Sequence, residues 1–180
     1  MTPVVTVDEA KAALRLSTNN TVHDVQLATL ILSATSKLTN ETELVGINTG
    51  LTYHRDLWAA SFLIPYRPVL TVDQVRYLDA DGSNTVVDSG DYWFSVGRRQ
   101  VSFNSSFEYP ALFDRRDVIT VTYSAGFGTT ADKVPYLFKQ AVLLQVGYWF
   151  GDPQQENAES YSSQRAYWDL VDQLRRTSYP

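Results

Sequence analysis

Gly126, Gly128 and Ala131 stand at the spacing G-x-G-x-x-A, after a strand-like run and before a helical one. In a dinucleotide fold such glycines let the backbone approach a pyrophosphate at a helix N-terminus. That fingerprint also needs a parallel strand beyond the helix, carrying an acidic residue. Here the helix runs into Gly151-Asp152-Pro153 and a polar stretch, and Pro135 sets the helix start several residues past the glycines. The glycines are therefore read as a structural turn.

Asp79-Ala80-Asp81-Gly82 opens like a calcium loop, but Gly90 stands at the twelfth position, where a bidentate Glu belongs. A hairpin turn suits the segment better. His23 and His54 are the only histidines, and neither has partners at metal or triad spacing. Arg98-Arg99 and Arg115-Arg116 fall in strand-connecting loops and are read as solvated turns. Aspartates and glutamates are scattered, and nothing in their spacing promotes a carboxylate pair. No catalytic, cofactor-binding or metal-binding residue is assigned, and the reading is of a protein that is not an enzyme.

The elements around these residues follow from local pattern. Thr6-Val7-Asp8-Glu9 is a capping box opening a short helix, placed at 6–16. A second helix, placed at 21–40, carries Val25, Ala28, Leu32 and Thr35 near one face, with Leu27, Ile31 and Leu38 flanking it. So wide a stripe predicts packing on more than one neighbour. From 51 to 124 the texture is that of five to seven short antiparallel strands, by strand-spacing rules. Tyr53, Trp58, Phe62, Leu63 and Ile64 suggest strands, and Pro65 and Pro68 punctuate them. Val72 to Leu78 pairs with Thr85-Val86-Val87 across the Asp79 turn, and Asp91-Tyr92-Trp93-Phe94 pairs with Gln100 to Phe103 about Gly97. Val118 to Tyr123 is the clearest strand.

After Pro135 an almost wholly apolar helix, placed at 134–150, must be buried in the fold or at an interface. A polar linker is expected over Gln154 to Gln164, and a short helix over Ala166 to Arg176 with Tyr167, Leu170, Val171 and Leu174 on one side. A helix that short is marginal alone in water, so it must dock on its own domain or on a partner. The fold class is α+β, with N-terminal helices and a buried C-terminal helix packed with an antiparallel β region, plus an extended C-terminal tail. The division is a core domain over 1–152 and a linker with helical tail over 153–180.

Of the 180 residues, 44% are hydrophobic, enough for one well-buried core. A net charge of −5 argues against tight sequence-independent binding to nucleic acid, which needs clustered Lys and Arg. Cysteine is absent, which excludes disulfides and thiolate metal sites and suits a reducing compartment. No signal-peptide pattern and no membrane-length apolar run is visible, so a cytosolic protein with no membrane partner is expected.

The order of features resembles a known family. Thr6 to Lys11 and Leu14-Arg15-Leu16 lead into the long helix. Tyr66-Arg67-Pro68-Val69, Val75 to Gly82 and Asp91-Tyr92 follow, then Val118 to Tyr123 with Ala125-Gly126-Phe127-Gly128. Val134-Pro135, Gln140 to Leu144 and Tyr148-Trp149 complete the series. This is similar to the head-to-tail connector proteins of tailed bacteriophages, also known as adaptor or head-completion proteins and found in gene transfer agents. The similarity covers Thr6 to Asp152; residues 41–50 and the segment after Asp152 lie outside it.

The resemblance implies a structural virion protein made in the host cytoplasm and located in the neck. It implies a homo-oligomeric ring, usually of twelve subunits, under the portal protein. Such a ring extends the DNA channel, lets DNA pass without sequence-specific binding and presents a surface to a stopper or tail protein. It further implies that the C-terminal segment engages the portal, with Tyr161, Tyr167, Trp168, Leu170, Val171, Leu174, Arg175 and Arg176 as the contact. Two other readings stay open: another tail-completion or stopper subunit, and a small hydrolase or ligand-binding β domain using carboxylates and tyrosines such as Tyr92 and Tyr123.

Overall fold

The computed structural model describes residues 3–151 and 158–177, with residues 158–161 and 163 described by backbone alone. It is an α+β fold in two compact units. Described residues up to Ile47 and from Phe127 onward form a helical unit, and Asn48–Gly126 form a β unit inserted between them.

In the helical unit, α1 (Val7–Ala13) starts at the expected capping box. The Glu9 backbone donates to Thr6 Oγ1 (3.1 Å), and the Thr6 backbone donates to Glu9 Oε2 (2.7 Å). Helix α2 (Asp24–Thr42) buries Leu27, Ile31, Ala34 and Leu38. Its buried threonines Thr35 and Thr42 donate their hydroxyls to carbonyls one turn back, at 2.7 Å each, so neither is left unpaired inside. The helix ends where Glu43 turns left-handed (φ 58°) and donates to the Thr39 carbonyl. The stretch 41–50, outside the family pattern, supplies core: Leu44, Val45 and Ile47 are buried.

Helix α3 (Tyr136–Phe150) follows Pro135 and buries Phe138, Ala141, Val142, Gln145 and Val146. Helix α4 (Ala158–Arg176) packs on α2 and α3. It begins eight residues before the expected start at Ala166, so the tail helix is not short. The expected linker lies outside the described residues as far as 157; beyond that it is helix. Ala158, Glu159 and Gln164 favour helix without adding an apolar stripe, and once the C-terminal half docks, each upstream residue costs little to add.

The β unit holds two antiparallel sheets. One is ordered β1 (Thr49–Arg55), β7 (Ile119–Ala125), β3 (Val69–Leu78), β4 (Asn84–Val86); the other is β2 (Ser61–Leu63), β6 (Gln100–Phe103), β5 (Tyr92–Ser95). In β7, Ile119, Val121, Tyr123 and Ala125 are buried while Thr120, Thr122 and Ser124 face the other way, the alternation of a half-buried sheet. The register Tyr92↔Phe103 and Arg76↔Val86 matches the two expected hairpins. Trp58, whose ring suggested a strand, instead lies in the loop between β1 and β2. There it packs edge-on against Tyr77, Phe103 and Phe107 and donates from Nε1 to the Pro110 carbonyl at 2.9 Å. Its β-like character reflects burial in an aromatic cluster rather than pairing.

Candidate functional site

The aspartate and glycine motifs singled out for chemistry resolve into structural turns. Asp79 Oδ1 accepts from the backbone of Asp81 (3.1 Å) and Ser83 (2.9 Å), and Gly82 takes φ 80°, a region open to glycine. The carboxylate is thus consumed within the β3–β4 hairpin. Gly126 and Gly128 follow β7, which pairs antiparallel on both sides, so no βαβ unit surrounds them. A Cβ on Gly128 would stand 2.6 Å from Lys133 Cβ; its glycine is required by that close approach within the chain. His23 sits at the start of α2 against the Phe150 ring (5.2 Å), and His54 Nδ1 lies 3.3 Å from Thr120 Oγ1. Among the described residues no group of three or more His, Asp or Glu is placed to hold a metal ion. No helix among them is long and apolar enough to cross a membrane.

The surviving candidate is α4, where the expected partner-binding residues lie. Its amphipathic spacing turns Tyr167, Leu170, Val171 and Leu174 inward, and all four are buried in the helical unit. Trp168 remains 44% exposed. Arg175 and Arg176 are exposed near the C-terminus, where cations suit the helix dipole. Tyr161 lies in the first turns of the helix, and its side chain is outside the described residues.

Two cations, Lys37 of α2 and Arg175 of α4, tie the helices together. The Lys37 ammonium lies 4.9 Å from the centroid of the Tyr167 ring and 4.8 Å from that of Trp168. Such cation–π contacts contribute about 0.5–1 kcal/mol each when exposed. Arg175 donates from Nε to the Glu41 carbonyl (2.8 Å) and from Nη2 to Glu41 Oε2 (3.2 Å). Burial, with Glu41 adding to it, pushes the Tyr167 phenol up to about 12.

The sequence pattern identified this stripe but not its destination. What it did not show is an exposed apolar surface on α2. Val25, Ala28 and Leu32 lie on the outer side of that helix and are exposed. The width of the α2 stripe was the available signal.

No protein-family model matches the chain, and no curated protein does. Solved structures do. A chain in the neck of an empty gene transfer agent particle, computed with C6 symmetry, is similar at a TM-score of 0.78 and 21% identity, over 98% of this chain and 92% of that one. A chain in the virion of a native gene transfer agent particle is similar at 0.76 and 20%, over 98% and 92%. A chain in the neck of a native particle, computed with C12 symmetry, is similar at 0.69 and 19%, over 100% and 95%. At these identities the likeness is one of fold: the chain shares, over nearly its whole length, the fold of chains in gene transfer agent particles.

Proposed function

We propose that the chain is a structural subunit of a virion neck. In this reading it is a head–tail adaptor that forms an oligomeric ring under the portal, extends the DNA channel and joins capsid to tail. The observation that carries the reading is the end-to-end fold likeness to chains of gene transfer agent necks and virions. The net charge of −5 is consistent with a channel wall past which DNA slides, since few clustered cations are available to hold it.

Portal binding is proposed for α4, with its residues in two roles. Tyr167, Leu170, Val171 and Leu174 hold the helix to its own unit. Trp168, Arg175 and Arg176 present the surface the portal meets; Tyr161, the other expected contact, has its side chain outside the described residues. Repetition around a ring multiplies a weak contact into avidity.

The test uses Trp168→Ala with Arg176→Glu, which leaves the buried face intact. Deleting everything from Gln154 would strip four core side chains, and loss of function would then follow from unfolding alone. The paired variant is expected to fold and to melt only a few degrees below the parent, about 2–4 °C per kcal/mol lost, but to fail to join portal-bearing heads to tails. Normal joining by that variant would remove α4 from the portal contact. Electron microscopy placing the chain away from the portal–tail junction would overturn the adaptor role itself.

A further inference from the structure

Helix α2 has no charged residue from Val25 to Ser36, although half of that stretch faces solvent. Its inner side is spent on the core through Leu27, Ile31 and Ala34. Its outer side presents Val25 (82% exposed), Ala28, Thr29 and Leu32, and Val22 extends the patch beyond the helix start. The Thr29 hydroxyl is returned to the Val25 carbonyl at 2.9 Å, so this polar group also donates within the helix. Solvent-facing helix surfaces ordinarily carry charge; this one is built as a ridge to be covered. A hollow of about 150 Å³ flanks it, between Ala28 and Leu32 on α2 and Pro3 and Val5 on the N-terminal segment.

On the other side of α1 lies a groove between α1 and α3. Two adjoining hollows of about 480 and 300 Å³ share Ala13, Gln140 and Leu143 as lining. Ala12 and Ala13 form a low wall, Leu143 and Leu144 line the α3 side, and Tyr136, 88% exposed, rises at one end. The charges at that end, Glu9 and Lys139, face each other at 3.8 Å.

We infer that these two surfaces meet between copies of this chain, the outer ridge of α2 on one copy seating in the α1–α3 groove of the next. The inference rests on the ring reading above and names the contact that would build the ring. The dimensions match: Val25 to Ser36 rises about 16 Å and Tyr136 to Tyr148 about 18 Å at 1.5 Å per residue. Small residues on both sides, Ala28 on the ridge and Ala12 and Ala13 on the wall, permit helix axes to approach to about 8 Å. Identical chains of net charge −5 repel one another, so their contact must keep carboxylates apart. The uncharged ridge and the groove, whose one carboxylate among the described residues, Glu9, faces Lys139, do so. Because ridge and groove are different patches, the contact is heterologous, the kind that closes into a ring when repeated about an axis.

The absence of native cysteine makes the test direct. Ala13→Cys and Ala28→Cys are small changes at exposed positions, one in the groove and one on the ridge. In assembled necks, mild oxidation of the double variant is expected to give a ladder of disulfide-linked multimers. An equimolar mixture of the two single variants should stop at dimers, and either single variant alone should stay uncrosslinked. Dimers from Ala28→Cys alone would mean that α2 meets α2, and would overturn the pairing. So would crosslinks to a different protein in place of the ladder. No ladder, in necks where microscopy still finds the chain in a ring, would overturn this contact while leaving the adaptor reading intact. A chain found as single copies in the neck would overturn both. Adding Val25→Asp to the double variant, an exposed change expected to leave its melting temperature unaltered, should abolish the ladder.

Discussion

The Nζ of Lys11, a side chain only 2% exposed, lies 2.5 Å from Oδ1 of Asp24 in the first turn of α2. The same ammonium donates to the Thr18 carbonyl at 3.1 Å. One buried cation thus ties α1, the α1–α2 loop and the start of α2 together. Asp24→Asn removes its counter-charge, and the expected loss is about 3 kcal/mol, the low end for a broken buried pair because Asp24 is partly exposed. Lys11→Met together with Asp24→Asn should recover much of that loss, since the desolvated charge goes with its partner. Urea unfolding of the parent and the two variants measures it; equal stability of the single and double variants would show that the pairing carries no weight.

Leu174 is fully buried, whereas Trp168, six residues earlier on the same helix, is nearly half exposed. Leu174→Ala should therefore cost about 2–5 kcal/mol. Trp168→Ala should cost far less, roughly the 0.5–1 kcal/mol of its cation–π contact plus part of its burial. Thermal melts rank the two. A harmless Leu174→Ala would mean that α4 is not integral to the helical unit in solution.

Alkaline pH should weaken the fold through two tyrosines. Burial pushes both Tyr123 and Tyr167 from the ordinary value of 10.0 up to about 12. Below about pH 10 the phenols are neutral in folded and unfolded chains alike, and this contribution to stability is fully present. As pH rises from 10 to 12 the unfolded chain ionises first, so stability is progressively lost. Phenylalanine at either position should flatten that decline. The Tyr167 hydroxyl is buried with no hydrogen-bond partner among the described residues. Tyr167→Phe is therefore expected to be neutral or to stabilise by about 1 kcal/mol at pH 7. Denaturant titrations across pH 7 to 12 test both statements.

Gly128→Ala separates a packing glycine from a phosphate-cradling one. The added Cβ would meet Lys133 at the base of its side chain, where little can give. A loss of about 1–3 kcal/mol is expected, with no change in any nucleotide-induced shift of melting temperature. Nucleotide-dependent stabilisation of the parent that vanished in this variant would revive the dinucleotide reading.

What was legible in the sequence was local. The Thr6 capping box, the Asp79 hairpin and the alternation of β7 each depend on residues within a few positions of one another, and each formed as its chemistry directs. Pairings at long range were not legible. That β7 would sit between β1 and β3 depends on segments far apart in the chain, and no single strand's alternation encodes its neighbours. Trp58 misled because aromatic residues mark buried surface as readily as strands. The α4 stripe of Tyr167, Leu170, Val171 and Leu174 was visible, but amphipathicity specifies that a face is covered and not by what. The α2 stripe was visible too; only the fold separates the half spent on the core from the half left outside.

The insertion of the β unit between Ile47 and Phe127 has a consequence for the order of events during folding. Helices α1 and α2 leave the ribosome well before α3, which carries much of the surface they pack on, and Asn48–Gly126 comes between. Closing so long a loop in a disordered chain has an entropic cost. The ladder pairing Thr49 with Ala125 brings the two ends of that insert side by side. Once the strands are paired, the chain separating α2 from α3 falls from the whole insert to the short segments 43–48 and 126–135, and the closure cost falls with it. The β unit is thus the clasp that lets the discontinuous helical unit close.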